Sequence, residues 1–394
     1  MKYCHRHLFN ILIITMIAGC KKAYTPPAIA SPGTFLVVEG FIDGINPTTI
    51  KLSNTVNLSD STLVAPVLHA SVSVQSDQNE NYALTETTNG NYVGNGLNLN
   101  VSHKYRLSIK TAANKQYYSD YEPVLNSPPI DSVYYKITND GININLSTHD
   151  ATNTIQYYRW DYGETWIIHS NYYSILRTDG YSILPRDLIN DDIYTCWQRD
   201  SSSSIVVAST ARLSKAIVDD NLITSIGSTS EKLGVKYSIL VKQYALTSDA
   251  YNFWANLKKN TEQLGSIFDT QPSQNNGNIH SSTNPSEQVV GFISVGNTSA
   301  RRIFITPQYL PAWLPVNPYP NCKLDTFYYQ DVELKGDTVN QVTEYLTRGP
   351  YVPVNAIIPD LFLPFAIPTG YTGSTRECVD CTLRGANKQP AFWE

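Results

Sequence analysis

The sequence is poor in charged residues and contains more acidic than basic ones. Of its 394 residues, 16% are charged, and 34 aspartates and glutamates outnumber 29 lysines and arginines, which gives a formal net charge of −5. A protein that binds nucleic acid normally carries an excess of cations, because these displace the counterions of the phosphates. The composition therefore argues against a nucleic-acid partner.

The short motifs of common catalytic centres are also missing. The sequence has no HExxH pair, no G-x-S-x-G turn, no Walker loop and no G-x-G-x-x-G turn after a strand. Beyond the N-terminus the histidines stand singly, at His69, His103, His149, His169 and His280. We therefore predict no metal, no cofactor and no enzymatic activity, and expect a binding role.

Long apolar runs are absent too, and one short run lies near the N-terminus. Residues 8–19 are too few to span a bilayer core of about 30 Å as a helix. The run follows basic residues and ends in Ile17–Cys20, a pattern typical of the signal peptides of bacterial lipoproteins. We expect residues 1–19 to be a cleaved signal peptide, Cys20 to carry the lipid and residues 20–33 to form a tether.

The residue after the lipidated cysteine bears on the destination of the protein. Lys21 stands where an aspartate would favour retention at the inner membrane, so we expect the outer membrane. The sequence leaves open whether the protein faces the periplasm or the cell surface.

Alternating short apolar runs predict that the chain is mainly β. For residues 34–125 we expect an immunoglobulin- or fibronectin-like sandwich, because short strands are separated by turn dipeptides such as Asp43-Gly44 and Asn89-Gly90. The predicted strands are 35–42, 49–52, 70–75, 82–86, 90–93 and 104–110.

A proline-rich stretch at 123–129 predicts a boundary, followed by a larger antiparallel β-rich domain at 128–394. One helix is expected there, at about 248–263, with an aromatic stripe that packs on a sheet. Proline-rich segments at 307–320 and 350–368 should be irregular. The predicted strands are 130–136, 141–147, 155–162, 164–169, 204–209 and 234–243, with 289–295 and 301–306 as a returning pair.

Four segments together give the chain a family resemblance. They are FLVVEGFI at 35–42, YRWDYGETW at 158–166, YNFWANLKKNTEQLGSIFDTQPSQNNGNI at 251–279 and CVDCTLRGANKQPAFW at 378–393. In this order and spacing they resemble the DUF4249 family of Bacteroidota lipoproteins. The resemblance implies an envelope protein that accompanies a TonB-dependent outer-membrane receptor, and it implies no particular activity.

Four cysteines remain after the candidate lipidation site: Cys196, Cys322, Cys378 and Cys381. In an oxidising compartment we expect structural disulfides, and four cysteines allow three pairings. The C-x-x-C at 378–381 suits a small disulfide loop, half of a zinc site or a redox pair. Zinc is disfavoured because the other two cysteines are isolated, and redox chemistry because no βαβ pattern surrounds the motif.

Two acidic segments contain side chains of the kinds that catalyse hydrolysis or bind a metal ion. Asp161 and Glu164 lie among aromatic residues, and two carboxylates are what glycoside hydrolysis requires. A solvated turn between two strands is the favoured interpretation of this segment. The run Asn190–Asp192 offers oxygen ligands for calcium but lacks the spacing of a calcium loop, so we expect an ordinary loop.

The leading hypothesis is a non-enzymatic, lipid-anchored binding or accessory scaffold that works with a TonB-dependent transporter. A neutral glycan or a peptide is the expected ligand. The alternative is an envelope glycan hydrolase that uses Asp161 and Glu164. At the C-terminus, Phe392-Trp393 predicts a docked tail, stiffened by a disulfide loop near Arg384-Gly385, because large aromatic rings are costly to leave hydrated.

Overall fold

A computed structural model describes residues 34–56, 65–262, 277–329, 331–332, 338–358 and 367–393. The chain is mainly β with one long helix, as the sequence predicts. The candidate lipidation site Cys20 and its tether lie outside the described residues.

The first unit begins with nine strands between residues 36 and 126. Its predicted strands are confirmed to within a few residues, and the strand at Lys104–Lys110 matches at both ends. Every second side chain of the strand at Ser71–Ser76 is buried, which is the period of a sheet with one inner face. The strands are β1 Leu36–Asp43, β2 Thr48–Asn54, β3 Ala65–Pro66, β4 Ser71–Ser76, β5 Asn81–Glu86, β6 Asn91–Gly94, β7 Lys104–Lys110, β8 Gln116–Ser119 and β9 Glu122–Asn126.

Strands from much later in the chain complete this unit. Val295–Asn297 lies between β1 and β9 and is parallel to both, and β7 pairs with β9, so that the sheet closes on itself. The unit therefore extends beyond the range 34–125. The expected returning pair at 289–295 and 301–306 is wrong, because the first of these segments pairs with β1. Later strands of the chain are numbered in order, and those of this unit are β19 Ile279–Ser281, β20 Val289–Val290 and β21 Val295–Asn297.

The second unit packs a three-stranded sheet against a five-stranded sheet. Large side chains such as Trp160, Tyr158 and Tyr237 are fully buried between them. The three-stranded sheet contains β10 Ile130–Thr138, β11 Gly141–His149 and β17 Ile217–Gly227. The five-stranded sheet contains β12 Tyr157–His169, β15 Thr195–Ser201, β16 Val206–Ser209, β18 Tyr237–Ala245 and β22 Ser299–Ile305.

The central strand β12 corrects one prediction. Instead of two strands and a solvated turn at 161–164, the chain forms one strand of 13 residues. β12 pairs with β18 along one side and with β15 and β16 along the other, so its backbone groups are satisfied as a strand. This pairing overrides the turn preference of the local Asp-Tyr-Gly sequence.

The predicted helix is confirmed as α1, Ser248–Glu262. The hydroxyl of Thr247 accepts a hydrogen bond from the backbone N–H of Ala250 at 3.3 Å, which caps the N-terminal turn. Ala250 and Phe253 are buried against Phe292, and Trp254 packs beside them. The helix thus covers one end of the five-stranded sheet.

A smaller region combines the chain after β22 with an earlier hairpin at 176–185. The segment 350–368 was expected to be irregular, but Tyr351–Ile357 is a strand. Its Pro353 lies at a shift in the pairing register, where a missing N–H is tolerated. The strands are β13 Leu176–Thr178, β14 Ile183–Pro185, β23 Asp325–Tyr328, β24 Asp331–Val332, β25 Thr338–Val339, β26 Tyr351–Ile357 and β27 Gly370–Thr375. The helical segments are a π-helical turn at Val342–Thr347, α2 at Arg376–Val379 and short 3-10 turns at Glu231–Leu233, Pro307–Tyr309 and Cys381–Leu383.

Two disulfides hold the C-terminal segment, one to strand β15 of the second unit and one to the chain that follows β22. Cys196 is bonded to Cys381, and Cys322 is bonded to Cys378. The expectation of structural disulfides is confirmed, but a small Cys378–Cys381 loop is wrong. Each cysteine of the motif faces a different partner, because Cys378 lies in α2 and Cys381 begins the next helical turn.

Candidate functional site

One face of the five-stranded sheet points away from the core of the second unit. We call this face the platform. Along β12 the alternation of a strand places Arg159, Asp161 and Gly163 on it, opposite Tyr244, Lys242 and Leu240 of β18. On β22, Ala300 lies opposite Lys242 and Arg302 lies opposite Leu240, so these two residues are also on the platform.

A cleft of about 820 Å³ lies over the platform. Asp161, Leu240 and Lys242 are among its floor residues. The β1–β2 hairpin forms one wall with Phe41, and the helix contributes Trp254. This volume is within the range of small-molecule binding sites, and the cleft lies between two folding units, where such sites are common.

Arg159 is held between two aromatic rings at the end of the cleft. Its guanidinium carbon lies 4.4 Å from the ring centre of Tyr244 and 4.3 Å from that of Trp254. Phe41 contacts Tyr244 edge-on at 4.9 Å, so both units contribute to this packing. Cation–π contacts of this kind hold the planar guanidinium in place and make a modest favourable contribution to the free energy of folding. The sequence does not mark Arg159 as a site residue, except that Arg159 alternates with Asp161 along the predicted strand.

The carboxylates around the cleft are engaged with the protein. Asp161 lies 3.6 Å from Arg159, and Glu39 lies 3.1 Å from Lys51. Asp43 is buried and accepts hydrogen bonds from the hydroxyl of Thr298 at 2.6 Å and from two backbone N–H groups. Burial first, and the Asp161 carboxylate second, raise the pKa of the Tyr244 hydroxyl.

Glu164 lies on the other face of the same strand. Its carboxylate accepts hydrogen bonds from the Tyr237 hydroxyl at 2.6 Å and from the Lys232 ammonium at 2.5 Å, and it is almost fully buried. The structure therefore does not bring Asp161 and Glu164 together. Because β12 is extended throughout, residues three positions apart point to opposite faces.

The far end of the platform is covered by the chain terminus. Trp393 is buried and packs edge-on against Phe304 at 5.5 Å, and the Arg302 guanidinium lies 3.5 Å from the ring centre of Phe392. Ala386 forms an isolated bridge with Trp197 on the edge strand β15. The predicted docking of the tail is confirmed for Trp393, whereas Phe392 remains 37% exposed, and two separate disulfides hold the segment rather than a small loop.

The acidic run at 190–192 is used for local structure. Asp191 pairs with Arg186 at 2.7 Å, and Asp192 accepts a hydrogen bond from the backbone N–H of Tyr194 at 2.8 Å. No group of three or more metal-ligating side chains is present in the part of the chain that the structure describes. The described residues likewise include no helix that is long and apolar enough to cross a membrane.

A buried acid that the sequence analysis missed lies where the first unit meets the helix. Glu122 accepts long hydrogen bonds from Asn278 at 3.3 Å and from Thr247 at 3.4 Å. Burial is the main cause that raises its pKa to about 7, and Asp120 and Asp249 add to the shift. Nothing in the sequence around Glu122 marks it as buried except the alternation of β9.

The fold and the cleft define a two-unit β protein with a ligand-sized site between its units. The chain belongs to the family described as a domain of unknown function, DUF4249, whose family model matches residues 21–302. The match includes the platform up to Arg302 and stops before the C-terminal tail. No curated protein matches this chain.

Proposed function

We propose that this protein is a lipid-anchored envelope protein that binds a ligand in the cleft and serves as an accessory to a TonB-dependent outer-membrane transporter. The observation that carries the binding role is the cleft itself, with Arg159 fixed between Tyr244 and Trp254. The proposed location in the cell envelope is supported by the Ile17–Cys20 pattern and by membership of DUF4249.

Preorganisation favours binding as the role of this site. The floor residues Asp161, Leu240 and Lys242 belong to β12 and β18, which are paired on both sides, and the walls come from the hairpin of the first unit and from the helix. Polar groups held on such rigid elements lose little entropy when a ligand arrives. A ligand that contacts both walls would also join the two units.

Glycan hydrolysis by Asp161 and Glu164 has less support. The two carboxyl groups of a glycosidase flank one bond, whereas these two residues lie on opposite faces of β12. Glu164 is also occupied by Tyr237 and Lys232.

Affinity capture tests the proposed partner. The tagged full-length protein, expressed in its native envelope, is solubilised with mild detergent and captured, and the bound proteins are identified. We expect a TonB-dependent transporter in stoichiometric amount. Ala300→Arg fills the floor of the cleft. If the transporter binds at the cleft, this variant should capture less of it than the wild type; if it binds at another surface, the two proteins should capture equal amounts. Repeated capture of the wild-type protein without a transporter would contradict the proposal.

A further inference from the structure

The cleft floor carries one cation whose side chain has no partner among the described residues. Lys242 is exposed there, and its ammonium group has no hydrogen bond or ion pair with any described residue. Arg159, the other cation of the lining, lies 3.6 Å from Asp161, and its Nε is buried without a hydrogen-bond partner among the described residues. The acids at the cleft are already engaged: Asp161 pairs with Arg159 and Glu39 with Lys51. Asp43, the third acid, accepts the hydrogen bonds described above. The ammonium group of Lys242 is therefore the charge on the floor that a ligand can still pair with, and a negatively charged group complements it.

The floor also presents donors and acceptors side by side. Asp161 lies directly opposite Lys242 on the neighbouring strand, and Arg159 is the next outward residue along β12. On the rim, the hydroxyls of Ser203 and Ser204 are exposed and make no hydrogen bond with the described part of the chain. Hydroxyl groups both donate and accept, so a polyhydroxylated ligand matches this arrangement.

The pairing of the floor strands decides between a glycan and an extended peptide. A peptide that binds by strand addition needs a free sheet edge for its main chain. Both β12 and β18, which carry Asp161 and Lys242, have neighbours on each side, so the backbone beside these two side chains is not free for strand addition; β22, which carries Ala300, is the edge strand of the sheet. Arg159 covers one face of Tyr244 and one face of Trp254, so these two faces are not open for the stacking of a sugar ring, and the floor offers mainly polar contacts.

We propose that the cleft binds a carboxylated oligosaccharide, with Lys242 holding a uronate carboxylate and Asp161 and the rim serines contacting sugar hydroxyls. This inference rests on the cleft being the binding site of the proposed function, but it requires no transporter. It replaces the neutral glycan expected from composition with an acidic one.

Isothermal titration of the full-length protein in detergent tests the assignment. The probes are tetragalacturonate and tetramannuronate, each compared with its methyl ester, which keeps the sugar and removes the charge. We expect at least one acid to bind and its ester to bind much more weakly. Lys242→Gln should weaken binding of the acid roughly tenfold to a hundredfold, the value of one charge-assisted hydrogen bond.

Lys110→Gln is the matched control, because Lys110 is an exposed strand lysine of the first unit that does not line the cleft. It should leave the affinity unchanged. Binding of neither acid, equal binding of acid and ester, or displacement of the acid by a glutamate-rich peptide would overturn the proposal. Because no transporter is present in the titration, its outcome is independent of the capture experiment.

Discussion

Burial of Glu122 should make the stability of the protein depend on pH between about 4.5 and 7. Glu122 is 9% exposed, and its carboxyl group has two long hydrogen bonds and pairs with no cation among the described residues. Its pKa rises from an ordinary 4.5 to about 7 in the folded protein. The folded state therefore holds this proton over a pH range in which the unfolded chain has lost it.

The sign of the effect follows from proton linkage. A group that binds its proton more tightly when folded favours folding at low pH, and this contribution is lost as the pH rises towards the folded pKa. At about 1.4 kcal/mol per pKa unit, the full effect is about 3 kcal/mol. Glu122→Gln keeps the shape of the protonated acid, so we expect it to match the wild type near pH 4.5 and to exceed its stability by up to about 3 kcal/mol at pH 8.

Urea unfolding at a series of pH values measures this difference directly. Titrations elsewhere in the protein cancel when the variant is subtracted from the wild type. Glu39→Gln is the control at an exposed glutamate, and its difference from the wild type should stay small across the range. A Glu122→Gln difference that does not change between pH 4.5 and 8 would refute the reasoning.

Three further predictions concern the anchor, the closure of the first unit and the tail. Cys20→Ala should move the protein from the membrane to the soluble fraction, and continued flotation of the variant with lipid would contradict the anchor. A Cβ at Gly296 would lie 2.0 Å from the carbonyl oxygen of Leu125, so Gly296→Ala should lower the melting temperature strongly, whereas Gly163→Ala, with nothing within 4 Å, should change it little. Trp393→Ala should destabilise the second unit by about 3 kcal/mol in urea unfolding, as buried aromatic truncations do, and an unchanged midpoint would show that its packing contributes nothing.

The sequence alone determined those features that depend on neighbours along the chain. The alternation in β4 and β7 identified their inner faces, and the capped amphipathic run from Ser248 predicted the helix almost to the residue. The aromatic pair at the C-terminus predicted a docked tail, because burial of rings is favourable wherever a surface is available.

Tertiary structure decided everything that depends on partners distant in sequence. Val295–Asn297 reads as an ordinary short strand, and its place between β1 and β9 follows from pairings that have no local signature. Cys378 and Cys381 looked like one site, yet their partners lie in different segments.

The cleft shows most clearly which features depend on local sequence and which depend on tertiary structure. The sequence put Asp161 and Glu164 close together, but pairing of β12 on both sides kept the strand extended and placed the two carboxylates on opposite faces. The guanidinium of Arg159 is held in place by Tyr244 of β18 and Trp254 of the helix, and both residues are distant from it in sequence. Local periodicity is set by backbone geometry, whereas the choice among possible pairings is set by the burial and hydrogen bonding of the whole chain.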